Sequence, residues 1–229
     1  MAAVVLVGVA VGLLGLSLLT RYLAHRREVA APGIAPAAWM GLFDVNSEAN
    51  VPTWFSVALL VTTAVVAVVA GASHRCSAPQ QGRSYLVLAS VVLLLSLDEL
   101  AGLHERLGNV GTALSGGGVH FAWVLPGALV AGAVVVGLGV GGRTLFPATR
   151  RRLLVAGAVY FAGALGAETV SGQVLAAQGD RAAYLLVTGL EEFLEMLGVV
   201  LLLRALLKEL RIEATAHGWL LRPAGSSTP

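Results

Sequence analysis

Long apolar segments constrain the fold of this sequence more than any other feature. A membrane-spanning helix needs about 20 mostly apolar residues. The chain offers six segments of this kind, at 2–20, 51–71, 84–103, 120–141, 153–172 and 183–203. Residues 1–20 and 49–73 contain no Asp, Glu, Lys or Arg. We therefore predict an all-α, polytopic integral membrane protein in which six transmembrane helices pack as one bundle.

The composition leaves no room for a second domain. Residues 1–229 are predicted to form one six-helix transmembrane domain, with 204–229 as a cytoplasmic amphipathic tail that continues the sixth helix. Hydrophobic residues make up 57% of the chain and charged residues 12%, too few charges to cover a soluble domain. The single cysteine, Cys76, excludes an intramolecular disulfide. A net charge of +2, spread over short loops, argues against a nucleic-acid partner.

The distribution of basic residues predicts the orientation in the membrane. With six spans, the termini and the loops at 72–83 and 142–152 share one side, which holds ten of the 15 Lys and Arg residues. Basic residues accumulate on the cytoplasmic side of membrane proteins. We therefore predict a multi-pass protein of the cytoplasmic (plasma) membrane with both termini in the cytoplasm. The cluster Arg21, Arg26 and Arg27, taken alone, favours the opposite orientation.

Carboxylates interrupt three segments that cannot reach about 20 residues without them. The third segment has only fourteen uncharged residues, from Ser84 to Leu97, before its first acid. The sixth segment has three glutamates between two apolar runs that are each too short to span a membrane. Ionisable groups inside a membrane usually mark ion paths, proton relays or ligand sites. The candidate catalytic residues are Asp98, Glu99, Glu168, Glu191, Glu192 and Glu195.

These acids fall toward one face of the membrane, the outer face in the predicted topology. Asp98 and Glu105 are seven residues apart and are expected on one helix face, with His104 well round the helix from Asp98. The three glutamates of the sixth segment also share a face. No Lys or Arg lies within a predicted span, and an unpaired ionised carboxylate is costly in low dielectric. The cluster is therefore expected to be protonated or to bind a cation.

Two histidines, His104 and His120, flank a Gly-rich loop and add nitrogen ligands to this oxygen-rich set. Such a set suits a divalent metal ion, whose identity stays open. The candidate metal ligands are Asp44, Glu48, Asp98, His104, Glu105, His120, Glu192 and Glu195. Three alternatives also fit. The histidines can be interfacial residues, Asp44 and Glu48 can form turns ahead of Pro52, and the intramembrane acids can accept hydrogen bonds that only fix the helix register.

The stretch DVNSEAN, followed by Thr53 and Trp54, locally resembles the acidic calcium-binding segment of alkaline ceramidases, which are seven-span metallohydrolases. The resemblance implies oxygen ligands from Asp44, Glu48 and Asn50. The HxxxH pair with which those enzymes bind zinc has no counterpart in the last spans of this chain. The resemblance therefore stays local and does not identify the family.

Three classes of function fit these residues. The first is a membrane-embedded enzyme or binding protein, with or without a metal, that takes a lipid-like substrate between its helices. The second is a proton- or cation-coupled transporter of small molecules, which at this size would need a homodimer. The third is a membrane assembly subunit whose acids pair with the basic helix of a partner. The expected partners are membrane lipid and a lipid-like or small-molecule ligand.

Overall fold

The computed structural model describes residues 1–30, 33, 38–116, 122–179, 182–215 and 218–223. Its helices are α1 (Ala2–Ala30), α2 (Ala38–Gly41), α3 (Val51–Ser73), α4 (Pro79–Ala101), α5 (Gly108–Ser115), α6 (Val124–Gly141), α7 (Pro147–Phe161), α8 (Glu168–Gln178) and α9 (Ala182–Leu207). Short 3-10 turns lie at Glu105–Leu107 and Gly142–Thr144, and a π-helical segment, Ala162–Ala167, joins α7 to α8. Two strands, β1 (Leu210–Thr215) and β2 (Gly218–Pro223), follow α9.

Within the described part of the chain, five stretches of helix are long and apolar enough to cross a membrane. They are Ala2–Ala30, Val51–Ser73, Pro79–Ala101, Val124–Thr144 and Pro147–Ala177. Only 11% of the most apolar window of α1 and 6% of that of Val124–Thr144 are buried within the protein, so these helices present wide apolar faces to their surroundings. The predicted helical class is therefore confirmed, and the five apolar helices indicate a membrane protein.

The predicted sixth span corresponds to α9, which is not among these five helices and which lies in the middle of the bundle. It packs against α1, α3, α7, α8 and the π-helical segment. Its three glutamates would be costly beside lipid; Glu191 is buried, and Glu192 and Glu195 are partly buried. The second half of α9 is apolar, and its Val200 and Leu206 are almost fully buried in one hydrophobic cluster that also contains Leu60 of α3 and Val92 of α4. The long helix that carries three glutamates is thus the one that its neighbours shield.

The helices alternate in direction, which gives the bundle two chemically different ends. Residues 42–50, the last turn of α4 and the first turns of α9 form one end of the bundle, which we call the acidic end. Residues 74–78, residues 142–146 and the first turn of α7 form the other end, which we call the basic end. α3 runs from the acidic end to the basic end, and α4 returns.

The packing of α3 against α4 sets one side of the acidic end. The helices approach closely at a pair of glycines, where a Cβ added to Gly82 would lie 2.8 Å from the carbonyl oxygen of Gly71. α3 begins after Asn50, whose side-chain oxygen accepts a hydrogen bond from the backbone N–H of Thr53 at 3.1 Å. α4 ends at Gly102, which has a φ of +54° that favours glycine. The 42–50 loop and the end of α4 therefore meet.

The π-helical segment Ala162–Ala167 packs closely against α9. A Cβ added to Gly163 would lie 2.7 Å from the carbonyl oxygen of Glu191 and 3.0 Å from Cγ of Glu195. Only glycine therefore fits at this crossing without a shift of backbone. Single π turns inside helices are frequent at functional sites, and this one is followed directly by Glu168 at the start of α8.

The prediction that the tail continues the sixth helix is wrong. α9 ends at Leu207, and β1 and β2 form an antiparallel hairpin in which Leu210 pairs with Pro223. The reason lies in Glu209, which is 6% exposed and accepts hydrogen bonds from Tyr85 at 3.2 Å and from Thr149 at 2.7 Å. These tertiary bonds hold the chain in a turn where the sequence pattern alone favours helix.

Candidate functional site

A cavity of about 510 Å³ lies inside the bundle at the acidic end. The 42–50 loop, α4, the π-helical segment, α8 and α9 all contribute to its wall. Its carboxylates are Glu48, Asp98, Glu99, Glu168, Glu191, Glu192 and Glu195. Among the described residues that line the cavity, His104 is the only basic side chain, and none is Lys or Arg. All six candidate catalytic residues thus lie in the wall of one cavity.

Helical spacing explains how α9 supplies three of these carboxylates. Glu191 and Glu192 precede Glu195 by four and three residues, so all three project toward the same side of the helix. Glu195 lies about 6 Å further along the helix axis than Glu191, at 1.5 Å per residue. The three side chains therefore line the cavity wall in depth, as expected from the sequence spacing.

Asp98 and His104 contact each other, contrary to the sequence-based expectation that His104 lies round the helix. Nδ1 of His104 lies 2.9 Å from Oδ2 of Asp98, and the backbone N–H of His104 donates to Oδ1 at 2.7 Å. The expectation failed because α4 ends at Ala101 and the left-handed Gly102 turns the chain back. The predicted shared face of Asp98 and Glu105 is wrong for the same reason, since Glu105 begins a separate 3-10 turn.

Neutral side chains bind two of the other carboxylates. The indole N–H of Trp123 donates to Oε1 of Glu168 at 2.7 Å, and the hydroxyl of Ser171 donates to Oε2 of Glu191 at 3.2 Å. The Trp123 ring also packs on the imidazole of His104, with ring centroids 4.4 Å apart. Hydrogen bonds of this kind match the alternative in which the acids fix helix register. These bonds bring no positive charge into the cavity, however.

Asp44 is separated from the cavity, because it forms an ion pair with Arg21. Nε of Arg21 lies 2.9 Å from Oδ1 and 3.0 Å from Oδ2 of Asp44. The sequence-based first span ended at residue 20, whereas α1 continues to Ala30 and carries Arg21. Oδ1 of Asp44 also accepts a hydrogen bond from the backbone N–H of Asn46 at 3.1 Å. This bond agrees with the alternative in which Asp44 forms a turn ahead of Pro52. Glu48, in contrast, lines the cavity.

The divalent metal ion remains a prediction. Among the described residues, no three His, Cys, Asp or Glu side chains are arranged so that they could hold a metal ion. Two of the eight candidate ligands lie outside what the structure describes: His120 entirely, and Glu105 in its side chain. The described candidates that line the cavity are Glu48, Asp98, His104, Glu192 and Glu195.

Sequence reasoning missed Tyr160 as a cavity residue. Tyr160 stands in the apolar part of α7 and lines both the acidic cavity and a separate apolar groove that runs toward the basic end. Nothing in its local sequence separates it from an ordinary core aromatic. Only the close approach of α7 to α9 reveals it, since a Cβ added to Gly198 would lie 2.7 Å from the backbone nitrogen of Tyr160.

The fold and the cavity define a class, a helical protein with helices apolar enough to cross a membrane, built around a carboxylate-lined cavity. The model of the family described as "Domain of unknown function (DUF8692)" matches residues 1–210. The match covers more than half of the chain, and the chain therefore belongs to this family. No curated protein and no solved structure matches the chain.

Proposed function

We propose that the protein binds a cation or protons in the carboxylate cavity and works as a membrane-embedded enzyme or binding protein for a lipid-like ligand. The charge of the cavity carries this proposal, because seven Asp and Glu side chains line it without any Lys or Arg among its described residues. Ionised carboxylates gathered in low dielectric repel one another strongly. Positive charge from a bound cation, or neutralisation by protons, relieves that repulsion.

The proposed topology has six spans in the cytoplasmic membrane, with α9 as the sixth. α9 has 26 residues, about 39 Å at 1.5 Å per residue, which exceeds the bilayer core of about 30 Å. The positive-inside rule places the basic end in the cytoplasm, together with both termini. The cavity then opens on the outer face.

The far end of the cavity favours an enzyme or a binding protein over a coupled transporter. Beyond Glu195 and Tyr160, the bundle continues into a groove whose described lining contains no acid. A transporter that carries protons or cations needs ligand groups that lead to the second face of the membrane. A cavity that is polar at one end and closed by apolar side chains at the other suits a site that is loaded and emptied from one side.

The cavity is large enough for chemistry on a small polar head group. Its volume of about 510 Å³ falls in the usual range of small-molecule sites, about 300–1,000 Å³. A protonated carboxyl beside an ionised one supplies an acid and a base at the same place, as hydrolytic and proton-transfer reactions require. Because the cavity lies between helices, an amphiphilic ligand can keep its apolar part in the bilayer while its head group enters.

The test uses the purified full-length protein with Glu192→Gln and Glu195→Gln, and with Glu28→Gln as the matched control. Glu28 is exposed near the end of α1 and does not line the cavity. Thermal melting is followed across pH, with and without a chelator, and Mn²⁺ is titrated as the probe cation. Mn²⁺ prefers the oxygen ligands that this cavity offers.

The two forms of the proposal give different results. If a metal is bound, the chelator lowers the melting temperature at neutral pH, and the stabilisation by Mn²⁺ fades as pH falls because protons compete for the carboxylates. If protons neutralise the cluster, stability is kept at acid pH and lost as pH rises, and the chelator has no effect. Either response should shrink in the two cavity variants and persist in Glu28→Gln. Equal behaviour of all variants would contradict the proposal.

A further inference from the structure

An apolar groove of about 610 Å³ lies on the side of the bundle toward the basic end. Its walls come from α4, α6 and α7, and α9 forms its floor. Wall residues such as Val87, Val135 and Leu154 are 44–55% exposed, so the groove opens on the apolar outer surface of the bundle. A hydrocarbon chain from the surrounding bilayer can therefore enter it from the side.

Positive charge is confined to one end of the groove. Arg83 and Arg150 are its only charged lining residues among those the structure describes. Both lie at the basic end, where the hydroxyl of Ser84 bonds the carbonyl oxygen of Gly141 at 2.9 Å and so ties the start of α4 to the end of α6. From Arg83 to Leu95 the groove follows α4 for about 18 Å. The groove therefore has a cationic end and a long apolar remainder.

One nitrogen of the Arg150 guanidinium, the buried Nε, lacks a hydrogen-bond partner among the described residues. A buried donor without an acceptor carries a desolvation cost, and native structures rarely leave one in that state. Arg150 is also the fourth residue of α7, where the helix dipole disfavours a cation. An anionic group bound beside this guanidinium would offset the positive charges of Arg83 and Arg150.

We propose that the groove is a binding site for one anionic phospholipid, with its phosphate at Arg83 and Arg150 and an acyl chain along α4 toward Tyr160. An anionic phospholipid matches both parts of the groove, because its phosphate complements the two arginines and its acyl chain fits the apolar part. A soluble anion would leave the apolar part empty, and a neutral lipid would leave the two arginines without a counter-charge. The neighbouring Arg151 and Arg152 add positive charge at the same membrane face, which attracts anionic lipid to it. The charged end of this site lies at the opposite end of α4 from the carboxylate cavity, and Tyr160 lines both.

The experiment measures lipid retained by the full-length protein. Protein reconstituted in phosphatidylcholine with or without phosphatidylglycerol is extracted in detergent, and bound lipid is counted by native mass spectrometry. Arg150→Gln removes the charge and is compared with Arg143→Gln, an exposed arginine of the same face that does not line the groove. Gly157→Leu fills the groove, because a side chain at Gly157 meets open space. Gly132→Leu is its control, since Gly132 also faces open space but lies outside the groove.

The wild-type protein should retain phosphatidylglycerol in preference to phosphatidylcholine. Arg150→Gln should lower this retention about tenfold, the effect of losing one charge-assisted hydrogen bond. Gly157→Leu should lower it as well, while both controls keep it. If Arg150→Gln does not fold, Arg83→Gln and Gly157→Leu decide the question. Equal loss in Arg143→Gln, equal retention of phosphatidylcholine, or a dimer cross-linked through the groove would each overturn the proposal.

Discussion

Nδ1 of His104 lies 2.9 Å from Oδ2 of Asp98, while Oδ1 of the same carboxylate accepts the backbone N–H of His104 at 2.7 Å. One carboxylate thus holds both the backbone and the side chain of a residue six positions further on. This clasp closes the C-terminal end of α4 and fixes the imidazole in the wall of the cavity.

The clasp predicts a measurable coupling between the two residues. Asp98→Asn should keep an acceptor for the backbone bond but weaken the bond to the imidazole, and it should lower the free energy of unfolding by about 1 kcal/mol. His104→Gln should have an effect of similar size. A double-mutant cycle on melting in detergent isolates the pair, and the double variant should lose less than the sum of the single variants. Strictly additive losses would show that the two side chains act separately.

The packing of α7 on α9 predicts that Gly198 tolerates no side chain. A Cβ at this position would lie 2.7 Å from both the Cβ and the backbone nitrogen of Tyr160, and a helix backbone cannot move aside at low cost. Gly198→Ala should therefore lower the free energy of unfolding by about 1–3 kcal/mol, the usual range for overpacking. Gly132→Ala is the matched control, because Gly132 has no atoms near its Cβ position. It should be neutral or slightly stabilising, since alanine favours helix. Melting of both variants in one detergent measures the difference.

The sequence predicts the helical class because it depends on apolar length, which is a local property. The gathering of acids in one cavity also followed from the sequence, since carboxylates on three helices avoid lipid only by facing one another. The outcome for α9 shows the limit of this reasoning. Its three glutamates exclude it from the helices that are apolar enough to span, and only the tertiary structure shows that neighbouring helices cover it.

Other features could not be predicted, because non-local contacts decide them. The Asp98–His104 clasp requires the helix to end at Gly102, whereas the apolar pattern continues to Leu103. The pairing of Asp44 with Arg21 joins residues 23 positions apart and requires α1 to extend beyond its apolar run. Periodicity within one segment carries no information about either contact.

Removal of the Glu209 side chain is expected to lower the stability of the basic end strongly. Its buried carboxylate accepts hydrogen bonds from the hydroxyls of Tyr85 and Thr149 and so ties α4 and α7 to the end of α9. Glu209→Ala leaves both hydroxyls without this acceptor, and the free energy of unfolding should fall by about 2–3 kcal/mol. Glu213→Ala is the control, because its side chain is 41% exposed and pairs with Arg222 at 3.5 Å. It should cost less than about 0.5 kcal/mol. Similar melting temperatures for the two variants would contradict the role given to Glu209.

The proposed orientation predicts opposite labelling at the two ends of α3. Cys76 is the only cysteine of the chain and is exposed just after α3, while Ser47 is exposed just before it. The 23 residues of α3 extend about 34 Å, enough to place the two positions on opposite sides of a bilayer core. In intact cells, Cys76 should resist an impermeant thiol reagent and should react after lysis. A Cys76→Ser, Ser47→Cys variant should react in intact cells. The reverse pattern would place the carboxylate cavity on the cytoplasmic side, and labelling at both positions in intact cells would show that α3 does not span the membrane.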